Sequence, residues 1–164
     1  MSRLDSFIRR LEAQRSCLTH AVDLLEHQPG PIFEFGLGNG RTYDHLRELF
    51  PDREVFVFER KVAAHPDCVP TAPHLFEGPI EETLPLAAEH FAGRVAMVHS
   101  DLGCGDPDLN AQLAAFTVSF LPRILCPGGY VMADQDLRFP EATAMPLPDG
   151  VTPGRYFIYR APGI

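Results

Sequence analysis

The chain has 164 residues and a formal net charge of −8, with 45% hydrophobic and 22% charged residues, close to the balance of an ordinary soluble globular protein. No apolar run reaches the roughly 20 residues that span a bilayer, and the N-terminal arginines exclude the apolar stretch of a signal peptide. A cytoplasmic location with no membrane partner is therefore expected, and a single lysine, Lys61, with no basic run argues against a nucleic-acid partner. The cysteines at 17, 68, 104 and 126 lack the paired spacing of a zinc site and read as reduced thiols.

Residues 1–28 read as helical. Leu4, Phe7, Ile8 and Leu11 fall at i, i+3, i+4 and i+7, and Leu18, Ala21, Val22 and Leu25 repeat the spacing, with a break near Ser16 left open. Gln28-Pro29-Gly30-Pro31 stops the helix. A short buried strand is expected at 32–35, a helix around Leu46, Leu49 and Phe50, and a β-branched and aromatic strand at 55–58. After an irregular stretch at 61–71, a third strand is expected at 74–76. A helix follows at 82–91 with Pro85 in its first turn, then a fourth strand at 95–98. Asp106-Pro107 reads as an N-cap with proline at N1, and Leu109, Leu113, Phe116 and Phe120 line one face of the helix that follows. Pro127-Gly128-Gly129 turns into a fifth strand at 130–133. A Pro-rich segment at 139–153 precedes a last strand at 156–159.

Strands alternating with helices imply an α/β fold with a doubly wound, mostly parallel sheet, here with an antiparallel C-terminal strand and an N-terminal helical extension. The length suits one domain of 1–164, with a ligand-binding core at 31–135 and a C-terminal segment at 136–164. Ligands then bind beyond the C-terminal ends of the strands.

Ile32-Phe-Glu-Phe-Gly-Leu-Gly-Asn-Gly40 places glycines 36, 38 and 40 between a strand and a helix, where the chain turns sharply and a ligand approaches closely. The spacing is GxGxG, whereas the dinucleotide fingerprint is GxGxxG. Glu34, two residues before the first glycine, would repel a pyrophosphate but would bind an ammonium group directly or through water. The plain alternative is a buried acid satisfied by local donors. Glu59, ending the second strand, suits the two hydroxyls of a ribose.

These motifs resemble those of the class I S-adenosylmethionine-dependent methyltransferases, whose fold is Rossmann-like, over about residues 30–135. The resemblance implies S-adenosylmethionine as cofactor, with its methionine part held by Glu34 and the loop Gly36, Leu37, Gly38, Asn39 and Gly40. It implies Glu59 on the ribose and Arg60 flanking adenine. Leu125-Cys-Pro-Gly-Gly resembles the family's turn into the fifth strand. Where the family commonly carries a Gly-Asp-Ala turn whose acid contacts the adenine amine, this chain has Gly78-Pro79-Ile80, so backbone near Ile80, or Glu77 or Glu81, takes that place.

Asp101, ending the fourth strand, is the position that in the family faces the methyl group and the acceptor, and it is the expected general base. By strand alternation His99 is expected to point elsewhere. The Asn/Asp-Pro-Pro-Tyr/Phe motif of many amine and nucleobase enzymes is missing, which favours a small-molecule acceptor with an oxygen nucleophile. Asp101, Asp134 and Gln135 would offer oxygen ligands to a divalent metal, an optional cofactor. The N-terminal helices suit a homo-oligomer contact. The alternatives are a nicotinamide-dependent Rossmann oxidoreductase, and a domain that binds S-adenosylmethionine without turnover.

Overall fold

Ser2 opens the first helix, α1 (Arg3–Leu24). Its hydroxyl accepts from the Asp5 amide at 3.0 Å, and the Asp5 carboxylate accepts from the Ser2 amide at 3.0 Å, a reciprocal cap that satisfies two orphan donors. The computed structural model describes residues 2–164. Gln14 and Arg15 leave α1 unbroken; Gln14 is buried and turned inward. Ala13, Cys17, Leu18 and Ala21 form the packed stripe, whereas Leu4, Phe7 and Ile8 remain 66%, 46% and 43% exposed. At the far end of the helix the Arg53 guanidinium donates to the carbonyls of Leu25, Gln28 and Gly30 at 3.1, 2.8 and 2.6 Å. One side chain thus gathers three carbonyls of the connection from α1 into β1.

The elements that follow are β1 (Ile32–Phe35), α2 (Arg41–Leu49), β2 (Val55–Glu59), β3 (Leu75–Glu77), α3 (Ile80–His90), β4 (Val95–Ser100), α4 (Pro107–Ile124), β5 (Leu125–Ala133), β6 (Thr143–Ala144) and β7 (Phe157–Arg160). They build one sheet in the order β3-β2-β1-β4-β5-β7-β6. β1 to β5 run parallel, β7 lies antiparallel to β5, and β6 antiparallel to β7. This is the expected doubly wound, Rossmann-like α/β architecture with an antiparallel C-terminal edge. The strand order reverses between β1 and β4, which opens a crevice beyond their C-terminal ends.

Alternation along the strands assigns the two faces. Ile32, Val57, Met97, Met132 and Ile158 pack beneath Cys17, Leu18 and Leu46 of α1 and α2. Phe33, Phe35, Phe56 and Phe58 face Leu84 of α3 and Leu121 of α4. Their rings meet edge-on or tilted, with centroids 5.0 Å apart for Phe33–Phe58 and 5.2 Å for Phe35–Phe58, and each buried ring contributes roughly 1.5–3 kcal/mol by leaving water.

Three local expectations need correction. Helix α3 starts at Ile80, so Pro85 stands inside it and not in the first turn; the carbonyl that loses its usual donor belongs to Glu81, an exposed residue. Pro127-Gly128-Gly129 lies within β5, at a register shift against β4. The Pro-rich segment also contributes β6, too short at two residues to leave a periodic signal. Among the described residues no helix is long and apolar enough to cross a membrane.

Removing the Arg53 clamp tests this account of how α1 is anchored. Arg53→Ala is expected to lower the unfolding free energy by about 1–3 kcal/mol, read from urea denaturation. Arg53→Lys should recover only part, because one ammonium cannot reach all the carbonyls that the planar fork spans.

Candidate functional site at the carboxyl ends of the parallel strands

β1 runs into the glycine loop directly above the crevice. Gly36 has φ +87°, and a side chain there would stand 2.9 Å from the Asp101 carbonyl oxygen, so only glycine lets the loop pass this close to the end of β4. Gly38 has φ +51° and faces open space, with nothing within 4 Å of where a side chain would begin. The amides of Leu37 and Gly38 donate to Glu59 Oε2 at 2.7 and 3.1 Å, and the Lys61 amide donates to Oε1 at 3.2 Å. Glu59 therefore braces the loop from the end of β2, and its two oxygens retain lone pairs for further donors.

A cavity of about 240 Å³ opens over this loop. Its floor is the backbone of 36–39 with Thr42 and Asp101, and its roof is Phe7, Arg10 and Gln14 of α1. The Arg10 guanidinium donates to Asp101 Oδ1 at 2.5 Å and lies 3.6 Å from Asp134. The Gln14 amide donates to Asp101 Oδ2 at 3.2 Å. Burial raises the Asp134 carboxyl pKa, and the neighbouring Asp101 charge raises it further, against the pull of Arg10.

Glu34 lies below the floor with no exposed surface. Its carboxylate accepts from the Thr42 hydroxyl at 2.5 Å and meets His99 Nδ1 at 2.5 Å, while His99 Nε2 meets the Tyr156 hydroxyl. The carboxylate reaches the cavity through Thr42, which lines it. The expectation for His99 is corrected: it stands two residues before Asp101, the spacing that puts both side chains on one face of the sheet. Burial pushes the His99 pKa down, but the adjoining Glu34 carboxylate, with Asp101 and Asp134 beyond it, outweighs this and leaves it raised.

The other predicted residues are placed unevenly. Asn39 and Arg60 are exposed beside the loop and at the end of β2. The Gly78 amide donates to the Glu59 carbonyl at 2.9 Å, which sets the 78–80 turn next to Glu59. Ile80 buries its side chain with Leu84 on the opposite face of the sheet, so it offers only backbone to a ligand. Glu77 and Glu81 are exposed.

Asp101, Asp134 and Gln135 do not fit a divalent ion as arranged. A guanidinium already bridges the two carboxylates, and the Gln135 amide is turned toward the Leu102 carbonyl at 3.5 Å. No group of three or more His, Cys, Asp or Glu suited to a metal occurs among the described residues.

Arg10, Gln14, Thr42, His99 and Tyr156 escaped the sequence reading. Only His99 left a usable signal there, through its spacing from Asp101.

The raised His99 pKa fixes the sign of a pH effect. A folded value above the ordinary imidazole value of about 6.5 stabilises the fold fully below that pH, and the stabilisation is lost as pH rises through the folded value. The urea midpoint should therefore fall as pH rises above about 6.5, and His99→Gln should flatten that fall while costing about 3 kcal/mol at the acid end.

The profile of the S-adenosyl-L-methionine methyltransferase family matches residues 1–161. The crystal structure of an S-adenosyl-L-methionine methyl transferase from Silicibacter pomeroyi DSS-3 is 43% identical, covers 98% of each chain and superposes with a TM-score of 0.91. A putative caffeoyl-CoA O-methyltransferase from Staphylococcus aureus shares the fold at 14% identity, covering 88% of this chain and 82% of its own, with a TM-score of 0.58. The aminoglycoside resistance methyltransferase NpmB1 shares it at 15% identity, covering 88% and 93%, with a TM-score of 0.53. No curated protein matches the chain. The family match over nearly the whole sequence, with a 43% identical structure, places this chain in the S-adenosyl-L-methionine methyltransferase family, as an S-adenosylmethionine-dependent methyltransferase.

Proposed function

We propose that this enzyme methylates an oxygen nucleophile of a small molecule, with Asp101 as the general base. One observation carries the reading: among the described residues that line the cavity over the glycine loop, Asp101 is the one carboxylate. The bound cofactor supplies an electrophilic methyl group on a sulfonium, so the chain has to align, shield and deprotonate. Gly36, Leu37, Gly38, Asn39 and Gly40 cradle the methionine part, and open space at Gly38 lets backbone approach it. Glu34 acts on that part through Thr42. Glu59 accepts the ribose hydroxyls with the lone pairs that the loop amides leave free. Arg60 and the backbone of Gly78, Pro79 and Ile80 flank the adenine.

An acceptor hydroxyl beside Asp101 would give up its proton to the carboxylate, while the cofactor held by the glycine loop and Glu59 would supply the methyl group. Helix α1 covers the cavity from above, and the Arg10 bridge supplies the positive charge that a metal would otherwise bring to the Asp101–Asp134 pair. The exposed Leu4, Phe7 and Ile8 on the same helix support a homo-oligomer contact through α1.

Two experiments check these roles. Calorimetric titration with S-adenosylhomocysteine should show affinity lowered about tenfold or more in Glu59→Gln, as loss of charge-assisted hydrogen bonds requires. Unchanged affinity would remove Glu59 from the cofactor site. Release of S-adenosylhomocysteine in the presence of catechol and 4-hydroxybenzoate should fall about a hundredfold or more in Asp101→Asn, and a chelator should leave wild-type turnover unaltered. Full activity of the Asn variant would defeat the base, and loss of activity on chelation would restore the metal.

A further inference from the structure

A second cavity, of about 400 Å³, lies on the other side of Arg10. Arg3, Ser6, Phe7 and Arg10 of α1 line it, with Asp134 at the end of β5 and Arg155 just ahead of β7. Phe7 and Arg10 line both cavities, so the two share one wall, and Asp101 and Asp134 face it from opposite sides.

Three arginines are among the residues that line this second cavity. Arg10 is committed to the carboxylates of the wall. Among the described residues no carboxylate lies within 4.0 Å of Arg3 or Arg155. In a chain of net charge −8, an uncompensated pair of arginines around a concave, partly apolar space is a focus of positive potential set against the molecule's overall field. The planar forks suit a carboxylate or phosphate group in two-point contact, and the Phe7 ring suits the hydrocarbon attached to it.

We propose that this second cavity is the acceptor subsite, and that the acceptor is a small organic acid whose anionic group is held by Arg3, Arg10 and Arg155. The assignment rests on the small-molecule reading above and names its substrate class. In the structure both Asp101 oxygens are engaged, one by Arg10 and one by Gln14. An anion that draws the Arg10 guanidinium across the shared wall leaves Asp101 Oδ1 open to a hydroxyl proton, so binding of the correct acceptor readies the base. A nucleic-acid backbone is the less favoured occupant, since the cavity is small and the surrounding charge negative.

The test uses the full chain saturated with S-adenosylhomocysteine, titrated with benzoate, phenyl phosphate, neutral benzamide and cationic benzylamine. At least one anion should bind about tenfold or more tightly than benzamide and benzylamine. Arg155→Gln and Arg3→Gln should each weaken that anion about tenfold, Arg155→Lys should restore part of the loss, and S-adenosylhomocysteine affinity should be unchanged in all three. Equal binding of benzamide, no binding of either anion, or anion binding that survives the Arg3→Gln/Arg155→Gln double variant overturns the subsite. So does transfer of labelled methyl to RNA that falls equally in Arg9→Gln and Arg15→Gln, which lie on α1 outside the cavity.

Asp101→Asn in the same assays separates this proposal from the one it rests on. Arginine-dependent anion binding with undiminished turnover in Asp101→Asn defeats the base and keeps the subsite. Lost turnover in Asp101→Asn without anion binding does the reverse.

Discussion

Everything at the catalytic end of the sheet stands on the buried contact between Glu34 and His99. It joins the two strands that diverge at the switch point, β1 and β4, and extends through Thr42 to α2 and through Tyr156 to the C-terminal segment. Taking a carboxylate and an imidazole fully out of water costs several kcal/mol per charge. The cost is tolerable here because each polar atom of the chain Thr42–Glu34–His99–Tyr156 has a partner, and a low-dielectric surrounding strengthens bonds that are all satisfied. Thr42 rises from this network into the cavity, and Asp101 follows His99 by two residues, just past the end of β4.

The sheet divides its tasks between its faces. Under α3 and α4 the phenylalanines of β1 and β2 supply hydrophobic burial. Under α1 and α2 the same strands present Glu34 and Glu59, and β4 presents His99. Parallel strands with crossover helices put all their carboxyl ends at one edge, so residues far apart in sequence, such as Glu59 and Leu37 or Arg10 and Asp101, become hydrogen-bonding neighbours. Helix α1 completes the arrangement from above. Its first half packs lightly, with Leu4, Phe7 and Ile8 outward, and it meets the strand ends mainly through polar side chains.

Local chemistry made much of this legible in the sequence. The period-two and period-3.6 patterns located the elements, and the glycine cluster marked the loop, because those signals lie within a few residues; Glu59 was read as a ribose acid, and its bracing of the loop amides emerged only with the fold. The polar network under the site was not legible. Glu34 and His99 are 65 positions apart, and His99 and Tyr156 57 apart; a lone histidine in an apolar strand announces no partner. Arg10 looked like any solvated helix arginine until the fold laid it across two carboxylates. Pro85 misled in the other direction, since the rule that places proline in the first turn set the start of α3 at 82, whereas the helix begins at Ile80. The nicotinamide alternative, already weakened by the GxGxG spacing, gives way to the family match.

The Arg10 bridge has a thermodynamic consequence of its own. One side chain forms the wall between two cavities, so their occupancies are linked functions. Whatever free energy a ligand on one side gains or loses by shifting that guanidinium is returned in equal measure to the ligand on the other. Cooperativity between the two binding events, positive or negative, therefore needs no hinge or domain closure. It is contained in the choice of one arginine between Asp101 and what lies opposite.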